Sequence, residues 1–510
     1  MPPTSECELK LSVSVRDMPK ARSALRTMAR GRWARQALRT TYYDSKDTKL
    51  RHAHLELRVR KQGRQFIQTV KSNDVANGAV SERGEWEDLI QGSKPRLDAP
   101  QSGVQVRGRV VPEDLHPLFS TIVQRSVLML SPRRGTEIEA AIDRGEIHCN
   151  GRDAPISEIE LELKRGEREA LWDVALRLLD AVPCRIDAFS KSERGYRLAR
   201  AAGIKSAIAH PGPFPLPLDP QMTLDTALQV AGRHLLGTII RNEAAALENV
   251  TEAIHQMRVT ARRLRAVLAT AQKIIPQKQY RWANEELRWI ARELGPARNW
   301  DVFVVELLDP VNATLSGQSD LNIFTKTVEH ERRRARDHVR EVILSRRYTE
   351  SLMRLSRWFD ASGWREQSVA PDLAQLMAPL RDVAPKLLSR LHRKAMKRAR
   401  HFASLSPSDR HRLRIALKKL RYAIDFLAPL YKKGDVEKYL DRMKLLQDDL
   451  GHANDVRSAQ SLIASLRNTR NGAVERAGGL VLGWHDRALI EAEPIVRAHV
   501  RRFCRSKPFW

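Results

Sequence analysis

The sequence changes its hydrophobic period once, and that change limits what each part can fold into. Up to about residue 200, short segments alternate charged and apolar residues with period two, as strands require. Beyond it, long segments repeat apolar residues every three or four positions, as helices require. Between them stands HPGPFPLPLDP, His210 to Pro220, whose prolines exclude a helix interior and favour an extended spacer. The expected fold class is α+β, with a strand-built domain over 1–205, a Pro-rich linker over 206–221 and an all-α domain over 222–510. A chain of 510 residues is too long for one core, which agrees with this division.

The helical part repeats itself. HQMRVTARRLRAVL begins at His255, and HRLRIALKKLRYAI begins 156 positions later at His411. The same offset carries Leu294-Gly295 onto Leu450-Gly451. Two matches at one offset imply a duplicated helical bundle, with copies over about 222–365 and 378–510. His255, Arg258, Arg262 and Arg265 fall within about 80° of arc on a helix. His411, Arg414, Lys418 and Arg421 fall identically. A single basic helix face is ordinarily just solvated. Two rows headed by histidine suit a long polyanion, gripped through charge-assisted hydrogen bonds.

The strand part carries charge on one face of several strands. Glu6, Glu8 and Lys10 oppose Cys7, Leu9 and Leu11, and Glu56, Arg58 and Arg60 oppose Leu55, Leu57 and Val59. Glu158, Glu160, Glu162 and Lys164 oppose Ile159, Leu161 and Leu163, while Arg83, Glu85 and Glu87 share a face in SERGEWEDL. One such strand reads as half of a one-sided sheet. Several, mixing carboxylates with guanidinium and ammonium groups, imply a closed barrel with a charged interior and an apolar outer wall covered by helices. Its carboxylates could hold a hard divalent cation, and its arginines and lysines could hold phosphate oxygens.

These residues resemble the CYTH family, the triphosphate tunnel metalloenzymes. ECELK matches the family's ExExK signature. YYDSKDTKL, LRVR, TVK ending at Lys71, RGEWE, Arg125 in IVQRSV, EIELEL and SKSERGYRL follow in family order. The resemblance implies an antiparallel eight-stranded β-tunnel with flanking helices that cleaves triphosphate with Mg2+ or Mn2+. It implies Glu6 and Glu8 as metal ligands, joined by at least two of Glu158, Glu160 and Glu162, and extends to Asp143. Lys10, Arg58, Arg60, Lys71, Arg125, Lys191 and Arg194 would line the phosphate path, with Glu6, Glu8, Lys10 and Lys191 as the catalytic set. Arg83, Glu85 and Glu87 serve equally well as an ion network within the wall. Relatives with this tunnel act on inorganic triphosphate, thiamine triphosphate or nucleotides, and inorganic triphosphate is the expected substrate here.

The second half resembles the CHAD domain, through its two histidine-headed helices with RRLR at Arg262 to Arg265 and KKLR at Lys418 to Arg421. The resemblance implies binding of inorganic polyphosphate. Asn299, in LGPARNWDV, stands where that family often has Asp. Lys386, Arg390, Arg393, Lys394, Lys397, Arg398 and Arg400 form a further basic run, expected to be peripheral.

Charge supports this division. Residues 1–220 hold 37 Lys and Arg against 29 Asp and Glu, and the remainder holds 52 against 32. Such a field gathers polyanions. Aromatic content of 6% and the lack of a base-reading motif argue against nucleic acid as the specific partner. Cys7, Cys149, Cys184 and Cys504 show no metal or disulfide spacing. No apolar run approaches a membrane span, and MPPTSECELK has no apolar signal core, so the expected location is the cytoplasm, with association to polyphosphate granules. Two alternatives stay open: a non-catalytic, granule-associated polyphosphate binder, or a tunnel enzyme acting on thiamine triphosphate or a nucleotide.

Overall fold

The computed structural model describes residues 4–29, 31–72, 78–201, 215–466 and 472–510. Residues 206–214 of the expected linker lie outside them, and 215–219 run without helix or strand. The chain divides into two compact units. The first is Met1–Pro211, Gly232–Arg241 and Leu344–Gly363, and the second is Gly212–Ala231, Asn242–Ile343 and Trp364–Trp510. The class is α+β. Among the described residues no helix is long and apolar enough to cross a membrane.

The first unit is built on nine strands: β1 (Thr4–Val13), β2 (Ala34–Asp44), β3 (Leu55–Gln62), β4 (Gln65–Ser72), β5 (Val80–Ile90), β6 (His116–Leu130), β7 (Glu137–Cys149), β8 (Arg152–Arg165) and β9 (Cys184–Ile186). Eight of them run β5-β4-β3-β2-β6-β7-β8-β1, and β1 pairs with β5 to close an antiparallel barrel. Short β9 adds to the far end of β1, at Leu11–Val13. Closure removes both sheet edges. The period-two pattern sets the register: Leu9, Leu11, Leu57, Val59, Ile159 and Leu161 are buried on the outer face, so the charged partners point inward.

One end of the interior is apolar, which the charge pattern alone does not predict. Tyr42 stacks on Phe119 with ring centroids 4.5 Å apart, and Phe119 meets Tyr196 edge-on at 5.4 Å. Leu38, Val123, Ile147, Cys149 and Ile156 complete this cluster. Tyr196 comes from the helix Lys191–Ala201, which packs against β6, β7 and β8. Gly195 lets that helix approach closely, since a Cβ there would lie 2.1 Å from the Phe119 ring. The buried Asp44 carboxylate fixes the helix and the turn after β2 together. It accepts from the Tyr196 hydroxyl at 2.8 Å, from the Ser45 and Leu50 amides at 2.8 Å, and from the Arg51 amide at 3.1 Å. The YYDSKDTKL segment is thus a brace for the helix that carries Lys191.

The second unit is all helical. Its two basic helices are Thr251–Thr270 and Pro407–Leu427. Met257, Ala261, Leu264 and Leu268 are buried in the first, and Leu413, Leu417, Leu420 and Ile424, each 156 positions on, in the second. Equivalent apolar faces therefore bury equivalent positions, leaving equivalent basic faces outside that core. The copies differ after these helices. Pro296 supplies no backbone N–H, and the helix is interrupted at Leu294, between Gln277–Glu293 and Gly295–Val302. Gly451, with histidine after it, lies inside the uninterrupted helix Lys433–Leu466.

Candidate functional site

The barrel interior holds a cavity of about 270 Å³. Register brings the charged residues face to face. Lys10 pairs across from Glu160, Glu8 from Glu162, Glu56 from Lys71, and Arg125 from Asp143. Glu6, Glu8, Lys10, Arg58, Arg60, Lys71, Arg125, Asp143, Glu160, Glu162 and Lys191 all line it. Glu158 and Arg194 do not. Glu158 is fully buried behind the wall, where Arg194 reaches it at 2.8 Å. Arg83, Glu85 and Glu87 line the cavity too, and Glu85 meets Arg58 at 3.3 Å and Lys71 at 3.1 Å. Glu139 also lines it, opposite Glu162. Sequence reasoning did not select Glu139, although Glu139, Ala141 and Asp143 repeat with period two.

Among the described residues, nine carboxylates and eight cations line this space, so it is nearly neutral and finely alternating rather than simply basic. Burial would raise Glu6, but Lys71 at 2.5 Å holds it down to about 2. Glu8 is pushed up to about 7 by burial and by neighbouring Glu160. Burial opposes the charge on Lys10, but Glu160 at 2.6 Å and Glu8 at 2.9 Å keep its ammonium protonated. Arg60 differs from the rest. Arg58, burial and Arg125 lower it to about 10, and its Nε has no hydrogen-bond partner among the described residues.

Asp143, Glu158 and Glu160 are buried and bring oxygens within 4.8 Å of one another. An all-oxygen, multiply anionic set of this kind fits a hard divalent cation such as Mg2+ or Mn2+. Glu6, Glu8 and Glu162 stand beside it on β1 and β8. The four cysteines are far less suited to chemistry: burial raises the thiol pKa of each, to about 11 for Cys7 and about 12 for Cys184.

The helical unit holds a separate cavity of about 560 Å³. His255, Arg258, Arg262 and Arg265 line it together with His411, Arg414 and Lys418. The two repeats thus face one space. Arg421 is not in the wall and donates instead to Gln447 Oε1 at 3.2 Å. Arg288, Arg292 and Arg298 join the lining; the i, i+4 spacing of the first two was a legible signal. Asn299 lines the cavity, as does Asp455, its counterpart 156 positions on. The basic run from Lys386 to Arg400 contributes no side chain to this wall.

Among the described lining residues, eight Lys and Arg face one carboxylate, Asp455. Burial, Arg414 and Arg262 push Lys418 down to about 7, and burial, Arg262 and Arg298 push Arg258 down to about 10. Burial and Arg298 also lower His255, whose Nδ1 has no partner among the described residues. His411 Nδ1 is 3.0 Å from Asn454 Oδ1. The cations repel one another, and a bound polyanion would relieve that repulsion.

Comparison with known proteins matches the CYTH domain model over residues 4–196 and the CHAD domain model over residues 230–464. An inorganic triphosphatase of Haemophilus influenzae is 31% identical over 166 residues, 32% of this chain and 46% of that protein. An uncharacterised protein of Mycobacterium tuberculosis is 31% identical over 147 residues, 28% of this chain and 26% of that protein. The match therefore spans less than half the length of these curated relatives. The crystal structure of the CHAD domain from the plant Ricinus communis superposes with a TM-score of 0.50 at 27% identity, covering 57% of this chain and 96% of that one. The closed tunnel, the two-repeat basic cavity and both family models agree that the chain carries a CYTH domain over residues 4–196 followed by a CHAD domain over residues 230–464.

Proposed function

We propose that the tunnel hydrolyses inorganic triphosphate with a divalent metal, Mg2+ or Mn2+, and that the helical cavity binds inorganic polyphosphate. The observation that carries the first reading is the composition of the tunnel wall. Its one aromatic side chain among the described residues, Tyr42, is held against Phe119 in the apolar end. A nucleobase or thiazole would find no stacking surface there, whereas a bare phosphate chain finds charge on every side.

Lys10, Arg58, Arg60, Lys71, Arg125 and Lys191 bind and align the phosphate oxygens, and Arg194 positions Glu158. Glu6, Glu8, Asp143, Glu158, Glu160 and Glu162 supply the oxygens that would hold the metal, whose chemistry is Lewis-acid stabilisation of phosphoryl charge. Phosphoryl transfer needs positioning and charge neutralisation more than a covalent nucleophile. The wall supplies both. The similarity to a protein named inorganic triphosphatase supports this reading. For the helical cavity, the excess of cations over carboxylates supports a polymer of phosphates.

The test is phosphate release from tripolyphosphate with Mg2+ or Mn2+, by wild type and by Glu6→Ala/Glu8→Ala. Metal-dependent turnover lost in the variant, with polyphosphate binding retained, supports a tunnel enzyme with a separate docking domain. No turnover by folded wild type across triphosphates and metals leaves a polyphosphate-binding protein.

A further inference from the structure

The Lys191 ammonium occupies the point where the buried carboxylates converge. Its Nζ lies 2.6 Å from Asp143 Oδ2, 2.5 Å from Glu158 Oε1 and 2.7 Å from Glu160 Oε1. These are the same three carboxylates whose oxygens gather within 4.8 Å. Arg125 reaches Asp143 at 2.6 Å and Glu160 at 2.5 Å, Lys10 reaches Glu160 at 2.6 Å, and Arg194 reaches Glu158 at 2.8 Å. Three anions thus face four cations, and the protein neutralises its own cluster. A second cation placed there would meet like charge on all sides at contact distance, in a medium where such repulsion is strong.

Lys191 is also the member of this group best placed to move. It is the first residue of its helix and lines the cavity, on a flexible four-carbon stem. The helix behind it stays fixed by Tyr196 on Asp44 and by Arg194 on Glu158. The ammonium can therefore turn from the carboxylates to an anion in the cavity while its backbone stands still.

We infer that Lys191 is a resident counter-ion of the Asp143–Glu158–Glu160 cluster, which triphosphate must draw away before the cluster takes a divalent metal. Substrate and metal then bind with positive coupling, and a metal ion alone binds poorly. The inference rests on the triphosphate reading of the tunnel.

The experiment measures Mn2+ binding to the full chain by electron paramagnetic resonance, with and without imidotriphosphate, a non-hydrolysable tripolyphosphate. Binding lost in Glu160→Gln defines the tunnel's share. Without imidotriphosphate, Lys191→Gln is expected to bind Mn2+ about tenfold more tightly than wild type, within the usual range for coupled sites. Its gain from imidotriphosphate shrinks by the same factor. Lys191→Arg, which keeps the charge, behaves as wild type. Equal or weaker Mn2+ affinity in folded Lys191→Gln, beside a wild type that binds Mn2+ and hydrolyses tripolyphosphate, overturns the inference alone. A wild type that takes no Mn2+ in either condition overturns the metal-dependent reading and this inference with it. Should Lys191→Gln not fold, the wild-type chain decides. Saturating Mn2+ without phosphate must speed acetylation of Lys191, read by peptide mass spectrometry, and unchanged labelling overturns the inference.

Discussion

Asn299 and Asp455 occupy equivalent places in the two repeats and line the same cavity, yet only Asp455 carries charge. Its carboxylate works against the field of the cations around it, raising Arg414 and Lys418 where their neighbours lower them. Asp455→Asn is therefore expected to bind long-chain polyphosphate about three- to tenfold more tightly at low salt, as loss of one nearby like-signed charge implies. Asn299→Asp should weaken binding by a similar factor. Titration of fluorescent polyphosphate checks both, and raising salt should shrink both differences.

Lys418 makes that binding depend on pH. With its pKa near 7, the amine is largely neutral in the free protein at pH 8, where Arg414, Arg262 and Arg258 surround it. A polyanion favours the charged form and raises the pKa, so binding at pH 8 takes up a proton. Affinity is expected to fall as pH rises above 7. Calorimetry in two buffers of different ionisation enthalpy measures the uptake, which Lys418→Met abolishes. The stability effect has the opposite sign. Below pH 7 the folded state carries the full repulsion on a protonated Lys418, while between about 7 and 10.5 the unfolded chain binds more protons and stability rises with pH on this group's account.

The Tyr196–Asp44 hydrogen bond gives a stability prediction. Both groups are buried, and the hydroxyl donates to a carboxylate that also serves three backbone amides. Tyr196→Phe should cost about 1.5–3 kcal/mol in urea denaturation. Asp44→Ala leaves the hydroxyl and all three amides without their acceptor, and should cost about 3 kcal/mol or more.

Period and offset made most of the architecture readable. Alternation placed Glu6, Glu8 and Lys10 on the inner face of β1 before any strand partner was known, because the side-chain period of a strand is fixed by its backbone. The repeat at 156 positions placed His255 beside His411 for a similar reason: equal apolar faces pack alike. What alternation cannot reveal is depth along the barrel. Glu158 and Glu160 share a face, yet Glu160 lines the cavity and Glu158 is sealed behind it, because the helix carrying Lys191 and Arg194 covers that end. Arg421 failed for a related reason. It continues the basic stripe by spacing, but the stripe runs past the end of the cavity and finds Gln447. Asp44 looked like one letter of a motif, and its role appears only when Tyr196, 152 residues away in sequence, comes to meet it.

Arg60 sets function against stability. Arg58 and Arg125 repel it inside the barrel, burial adds to the cost, and its Nε has no partner among the described residues. With its pKa at about 10 it remains protonated at neutral pH in the folded and unfolded chains alike. The folded state therefore carries the repulsion throughout the working range, and stability on this group's account would recover only above about pH 10. Arg60→Met keeps much of the side-chain volume and removes the charge. It is expected to stabilise the protein by about 1–2 kcal/mol, a figure reduced from the full shift because solvent in the cavity screens part of it. The same change removes a cavity-lining guanidinium whose Nε has no partner among the described residues, so KM for tripolyphosphate should rise about tenfold or more, the usual loss for a charge-assisted contact. Thermal melts and steady-state kinetics on one preparation check both halves. A variant with wild-type KM would show that triphosphate does not reach Arg60, and a variant that melts lower would show that Arg60 is neutralised within the folded barrel.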